Sequence, residues 1–188
     1  FVHRLRDQMD AVLVGVGTVL ADDPLLTSRL KNRRGKDPIR VIVDTHFKMP
    51  HNAKVLNHHS DSQTLVIVNE GISTESLRPL ENNMVSMIRC PAKEGRIDLG
   101  IMLDILGRMS ITSLLVEGGA AIMGTLIRER LIDKFHVFKA PKILGGNDGF
   151  PMAGGPGPKN MEDALRLKDI TIRRFGDDSL TVGYPEYK

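Results

Sequence analysis

The chain has 188 residues, 41% hydrophobic and 26% charged, with a net charge of +3 and a single cysteine, Cys90. That size and balance describe one soluble globular domain and exclude a disordered chain, while a lone cysteine excludes a disulfide framework and any multi-thiolate metal site. The 26 Lys and Arg are interleaved with 23 acids and Trp is absent, so the basic balance lacks a nucleic-acid binder's stacking platform and suits an anionic small molecule instead.

In chain order, Val2, Leu5 and Met9 stand at helical spacing among charges and read as the end of a helix. Residues 11–16 are a continuous β-rich apolar run, a buried strand. Gly15 and Gly17 break it, and 18–21 start a short helical turn that Asp22-Asp23-Pro24 stops. The apolar stretch 11–21 is too short to span a bilayer, and no secretory signal precedes it. Residues 27–37 form a polar loop, whose basic run RLKNRRGK (29–36) reads as solvated surface.

Buried strands follow at 39–44 (IRVIVD), 63–69 (QTLVIVN) and 84–89. Leu99, Met102, Leu103, Ile105 and Leu106 give 98–109 helical periodicity. Residues 113–116 (SLLV) make a fifth strand, Glu117-Gly118-Gly119 a turn, 120–132 a helix and 134–144 a long strand. Residues 145–158, rich in Gly and Pro, are a loop, and 170–174 and 180–184 alternate around Gly176-Asp177-Asp178, a hairpin signal. The alternation predicts an α/β fold: a mainly parallel central sheet with helices on both faces, to which the tail adds an antiparallel C-terminal hairpin at one edge, within one domain over 1–188.

Ligands of open α/β sheets bind beyond the carboxyl ends of the strands, and two of those ends are glycine-rich. Gly15-Val16-Gly17-Thr18-Val19-Leu20 has the first two glycines of a dinucleotide fingerprint but Leu20 in the third place. A tight strand-to-helix turn accounts for it equally well. Glu117-Gly118-Gly119 opens onto a helix whose first N–H groups, at 119–122, face outward at the positive end of its dipole, which suits phosphate. Close strand–helix packing is the competing account, and pattern alone weighs the two evenly. Glu117 would repel a phosphate, so it either turns toward a sugar hydroxyl or an amine, or pairs with a surface arginine. Asp22-Asp23-Pro24 reads as a turn with one carboxylate capping backbone N–H groups rather than as an acid–base pair or metal site. His46, His51 and the pair His58-His59 lack metal-ligand spacing, so no metal is expected. Cys90 has no identifiable histidine partner, so no nucleophile is assigned.

The runs DAVLVGVGTVLADDPLLTSR (10–29), PIRVIVDT (38–45), ITSLLVEGGAAIMGTLI (111–127) and LIDKFHVFKAPKILGG (131–146), in this order and spacing, resemble the reductase domain of bacterial riboflavin biosynthesis. The resemblance implies a dihydrofolate-reductase-like fold. It implies NADPH-dependent reduction of 5-amino-6-(5-phosphoribosylamino)uracil to 5-amino-6-(5-phosphoribitylamino)uracil. It implies that Thr18, Asp22 and Thr45 contact NADP and that Gly119, Ala120, Ala121, Ile122, Met123, Gly124 and Thr125 hold the cofactor at a helix start. Arg6, Leu26, Arg29 and Glu117 match substrate-binding positions, with Arg6 and Arg29 as guanidinium forks for the phosphate. No catalytic proton donor is identified.

NADPH is expected over NADH, because Thr45 ends the second strand where an acid would favour a free ribose hydroxyl, and His46 and Lys48 stand near enough to meet a 2′-phosphate. Asp44 argues the other way, since it can accept from that hydroxyl. The resemblance further implies a cytoplasmic homodimer with a phosphorylated pyrimidine as its ligand and neither nucleic acid nor membrane as a partner. Family members carry a first strand upstream of the position matching Phe1, and many carry a zinc deaminase with H-x-E and P-C-x-x-C signatures that do not occur here. The chain therefore reads as a reductase domain cut from something longer, without its N-terminal strand and without any upstream deaminase domain of the intact protein. Two other readings stay open: a reductase of the same fold acting on a pterin or another pyrimidine, and a non-catalytic nucleotide-binding module.

Overall fold

Each run of apolar residues in the first two-thirds of the chain ends within a few residues of a polar or glycine break, and the computed structural model turns most of them into strands. It describes every residue except 32, 34, 57–59, 144, 146–148 and 188, so the pair His58-His59 and the far end of the long strand expected at 134–144 lie outside the described residues. The chain divides into two compact units, Phe1–Gly119 and Ala120–Lys188. The first holds α1 (Val2–Gln8), β1 (Ala11–Gly15), α2 (Val16–Asp22), β2 (Ile39–Val43), β3 (Thr64–Asn69), α3 (Thr74–Leu77), β4 (Val85–Cys90), β5 (Ala92–Lys93), β6 (Arg96–Ile97), α4 (Leu99–Arg108) and β7 (Leu114–Val116). The second holds α5 (Ala120–Arg128), β8 (Phe135–Lys139), β9 (Arg166–Phe175) and β10 (Asp178–Glu186). No described helix is long and apolar enough to cross a membrane.

In the first unit five strands pair in the order β4-β3-β2-β1-β7, every pair parallel. β1 is buried at all five positions, and β2 and β3 at all but one each. Successive side chains leave a strand on opposite faces, so this burial means that both faces of the sheet are covered, as a parallel sheet requires. On one face Val12, Val14, Ile42, Val66 and Val68 pack with Val19 of α2, Leu77 of α3 and Met49, Ala53 and Val55 of the β2–β3 connection. Each such side chain contributes about 1.5–3 kcal/mol by leaving water. α4 buries Leu99, Met102 and Leu106, and Asp98 caps its start by accepting from Ile101 N at 3.0 Å.

A charge sits inside this sheet. Arg40, in the run IRVIVD, is buried, and its Nε donates to Thr64 Oγ1 at 2.8 Å while Nη2 donates to the Ser62 carbonyl. Burial pulls its pKa down, and the nearby Asp37 carboxylate opposes that shift.

Several expected boundaries move. α2 begins at Val16 and takes in Gly17. α5 stops at Arg128 rather than 132, because Arg130 adopts φ +60° and Leu131 N donates back to Leu126 O at 2.9 Å, a left-handed helix end built without glycine. β8 stops at Lys139. The sequence reading missed α3, capped by Ser73 Oγ accepting from Ser76 N at 3.2 Å, and the β5–β6 hairpin, whose turn places Glu94 and Gly95 at φ +52° and +75°. The tail strands do not extend an edge of the parallel sheet. They pair with one another in an antiparallel sheet of order β8-β10-β9, because β9 and β10 satisfy each other along a ladder from Phe175↔Asp178 to Arg166↔Glu186 and β8 takes the free edge of β10.

Candidate active site

Strands β2, β3 and β4 lie on one side of β1 and β7 on the other, so the direction of winding reverses between β1 and β7. In an open α/β sheet that reversal separates the connections leaving two neighbouring carboxyl ends and leaves a crevice between them. Here the two ends are Gly15, which runs into α2, and Val116, which runs into Glu117-Gly118-Gly119. Glu117 N donates to Leu13 O at 2.9 Å and carries the β1–β7 ladder one residue past β7. Gly118 and Gly119 then take φ +89° and +88°. An L-residue is disfavoured there by about 1–2 kcal/mol per position, so the backbone shape requires both glycines. A Cβ at Gly118 would meet only Thr18 Oγ1, at 3.6 Å. Thr18, on the first turn of α2, therefore faces Gly118.

Glu117 borders the same place, and the structure resolves what it does. Arg6 of α1 grips it with both arms of the guanidinium: Nε donates to Oε1 at 2.7 Å and Nη2 to Oε2 at 2.6 Å. Arg6 Nη1 donates to the Thr27 carbonyl at 3.0 Å. The two side chains are only 13% and 21% exposed, so this is a partly buried bidentate pair rather than a surface contact. Arg6 was expected to fork a phosphate, and its fork is closed on Glu117. Each carboxylate oxygen keeps lone-pair capacity for a further donor, so Glu117 can still accept from a ligand.

The segment after α2 carries the next candidates. Asp22 is exposed. Asp23 caps α2 at φ +40°, accepts from Lys54 N at 2.8 Å and pairs with Lys54 Nζ at 3.3 Å. The Lys54 backbone N–H, more than the Lys54 ammonium, holds the Asp23 carboxyl below its ordinary pKa. Asp22 and Asp23 thus end α2, and the Asp23 carboxylate holds the distant Lys54 N–H instead of capping N–H groups of a local turn as the sequence suggests. Leu26 is buried in the apolar core at φ +53°. With the side chain packed in the core, the backbone is the part left to meet a ligand, and the left-handed conformation marks a strained segment of the kind that gathers at binding sites. Arg29 is exposed. Between them lies a residue the sequence reading missed: Ser28 Oγ is buried with no hydrogen-bond partner among the described residues, while Ser28 N donates to Asp37 Oδ1 at 2.7 Å. No sequence pattern marks a hydroxyl left over by packing.

Thr45 Oγ1 accepts from Ile97 N at 3.3 Å, which hangs the β5–β6 hairpin on the end of β2. Of the cofactor positions implied by the resemblance, Gly119 belongs to the first unit and Ala120, Ala121, Ile122, Met123, Gly124 and Thr125 to the second. In α5 a Cβ on Gly124 would overlap the Gly154 carbonyl, so that glycine admits close backbone packing. Thr125 Oγ1 donates to Ala121 O at 3.0 Å and accepts from Arg128 Nη2 at 3.0 Å. Cys90 is buried, and burial, with Asp98 and Glu70 nearby, pushes its thiol up to about 11, which leaves almost no thiolate at neutral pH.

The RibD C-terminal domain family matches residues 1–181 of the chain. The riboflavin biosynthesis protein RibD of Actinobacillus pleuropneumoniae is 33% identical over 181 residues, covering 95% of this chain and 47% of that protein. The 2,5-diamino-6-ribosylamino-4(3H)-pyrimidinone 5′-phosphate reductase of Methanothermobacter thermautotrophicus is 36% identical over 184 residues, 97% of this chain and 82% of that protein. Among solved structures, Acinetobacter baumannii RibD shares the fold with a TM-score of 0.80 at 24% identity, over 99% of this chain and 49% of that one. The chain thus spans about half the length of these RibD proteins.

Proposed function

Because the chain belongs to the RibD C-terminal domain family, we propose that it is the NADPH-dependent reductase of riboflavin biosynthesis, which converts 5-amino-6-(5-phosphoribosylamino)uracil into 5-amino-6-(5-phosphoribitylamino)uracil. The observation that supports this most is the turn at the winding reversal, where Gly118 and Gly119 are left-handed and a Cβ on Gly118 would meet only Thr18 Oγ1, at 3.6 Å. A cradle of bare backbone that a Cβ would fill fits the close approach of a pyrophosphate. In this reading Thr18, Asp22, Thr45 and Gly119 of the first unit hold the dinucleotide.

When bound, NADPH would supply the hydride that reduces C1 of the ring-opened, imine-like ribosyl group, with a proton going to its nitrogen. The chain's own part is to bind, align and exclude water. Arg6 fixes the direction of Glu117, whose remaining lone pairs accept from an N–H or O–H of the substrate. Arg29, exposed beside the strained Leu26 segment, meets the phosphate, and the unpartnered Ser28 hydroxyl next to it suits a ligand oxygen. Homodimerisation belongs to the same reading, and light scattering on the purified protein tests it.

The decisive experiment follows the reduced-nicotinamide absorbance of the full-length protein with the ribosylaminouracil phosphate. Oxidation that requires the phosphate is expected. NADPH binding without turnover on any pyrimidine would leave only a nucleotide-binding module. One specific observation favours a second substrate: the 36%-identical relative is named for 2,5-diamino-6-ribosylamino-4(3H)-pyrimidinone 5′-phosphate, the pyrimidine before deamination. Relative kcat/KM on the two pyrimidines decides between them.

A further inference from the structure

Residues 23–30 form neither helix nor strand, and side chains from elsewhere fix their path. Three consecutive residues each have a backbone group met in this way. Thr27 O accepts from Arg6 Nη1 at 3.0 Å, Ser28 N donates to Asp37 Oδ1 at 2.7 Å, and Arg29 N donates to His3 Nδ1 at 3.3 Å. On α1, Asp7 accepts from Lys36 N at 2.8 Å and pairs with Arg33. His3, Arg6 and Asp7 are three and four residues apart and so share one face of the helix. That face grips the segment at its start and at its end. Leu26, Thr27 and Ser28 are buried, and Arg29 is the first residue to come out into solvent.

His3 Nδ1 stands between two claimants, because Thr27 O is also 3.2 Å from it. A ring nitrogen donates if it carries the proton and accepts if it does not, and it cannot do both. Thr27 O already has a donor in Arg6, whereas the Arg29 N–H has no other acceptor among the described residues. Nδ1 therefore accepts from Arg29 N, and the ring proton sits on Nε2. A long side chain on a loose backbone sweeps a wide volume, and part of its binding energy is spent on stopping it. We propose that His3 is a positioning residue for the substrate phosphate: by holding the Arg29 N–H it fixes the backbone from which the Arg29 guanidinium is aimed. The inference rests on the reading above that Arg29 meets the phosphate, and it adds a residue that touches neither substrate nor cofactor.

The test is steady-state kinetics of the full-length protein with NADPH and the ribosylaminouracil phosphate. His3→Ala should raise KM for the pyrimidine about fivefold, the scale of one hydrogen bond, with kcat and the KM for NADPH within about twofold of wild type. Asn carries an amide oxygen where histidine carries Nδ1, and Gln carries its own nearer the place of Nε2. His3→Asn should therefore restore the wild-type KM and His3→Gln should not. In an Arg29→Ala background His3→Ala should change nothing further, because a positioning residue has no effect once the group it positions is gone. Thermal midpoints check that each variant is folded, and the Asn and Gln variants keep the comparison open where His3→Ala is unstable. A wild-type KM in His3→Ala, equal KM values in the Asn and Gln variants, or losses that add in the double variant would overturn the inference while leaving the reductase reading intact. A wild type that oxidises NADPH with no phosphorylated pyrimidine would overturn that reading itself, and this inference with it.

Discussion

Two neighbouring strand ends of this protein are rich in glycine, and they use it in opposite ways. After β1, Gly15 has φ −80° and ψ 155°, ordinary extended backbone, and Gly17 lies within α2 with nothing inside 4 Å of where its Cβ would stand. Leu20, in the place of the third fingerprint glycine, is simply an exposed helix residue. After β7, Gly118 and Gly119 stand at φ +89° and +88°, where side chains are strained. The difference teaches that a glycine pattern carries information only where the backbone shape or a close approach demands it. The partial G-x-G-x-x-G is a strand-to-helix turn in ordinary backbone, and the shorter Gly-Gly is the proposed cradle.

The largest expected effect breaks the cradle. Gly119→Asp puts a side chain and a negative charge where the pyrophosphate is proposed to sit. NADPH affinity should fall at least about a hundredfold, while the fold loses only about 1–2 kcal/mol to backbone strain. Calorimetry showing wild-type affinity would move the site elsewhere.

Next comes the support beside the cradle. Arg6→Ala strands a partly buried Glu117 carboxylate, and urea denaturation should show a loss of about 2–3 kcal/mol. Arg6→Lys should recover only part of this, since an ammonium cannot fork both oxygens.

A smaller effect tests the strand pair that places both ends. The Asp10 carboxylate accepts from the N–H and hydroxyl of Thr112 and of Ser113, which lowers its pKa from 3.8 to about 2. A carboxyl lowered by folding stabilises the native state above its unfolded pKa and stops doing so as pH falls through its folded one. Asp10→Asn should therefore melt below the wild type at pH 5–8, with the difference closing between pH 3.8 and about 2. A constant offset down to pH 1 would mean that the carboxylate charge is not what holds β1 to β7.

The smallest effect sharpens the contrast. Gly17→Ala should be neutral or stabilising by up to about 0.5–1 kcal/mol, as Ala for Gly in a helix usually is, with NADPH affinity within about twofold of wild type. A loss resembling that of Gly119→Asp would erase the distinction between the two strand ends.

The parallel sheet was legible because its strands are buried on both faces, so that VLVG, VIV and LVIV needed no partner to declare themselves. The Gly118-Gly119 turn was legible for a similar reason, since it interrupts such a run abruptly. What escaped was non-local or disguised. Arg6 and Glu117 are 111 residues apart, and nothing near either announces the other. Arg40 hides a buried charge in a run that reads as apolar, held by Thr64 at the start of the next strand and by the Ser62 carbonyl just before it. Arg130 ends α5 in the left-handed region where glycine is the usual sign, so the helix was drawn too long. Asp44 was ambiguous because whether a carboxylate faces a ligand or folds under its own turn depends on two backbone N–H groups, those of Lys48 and Met49, that belong to no motif.

The position of β1 also sets an order of events in synthesis. β1 precedes β2 in the chain, and β2 can pair with it soon after, but its other edge waits for Leu114–Val116. At roughly 5–20 residues per second the ribosome takes several seconds or more to supply them. Throughout that interval the nascent chain shows an unpaired apolar strand edge, a template for association with other chains. Contacts this distant are also the slow ones to form. A chain stalled before residue 114 has a buried half-sheet but neither the Arg6–Glu117 fork nor the glycine cradle, so the candidate site appears only after the last parallel strand has docked.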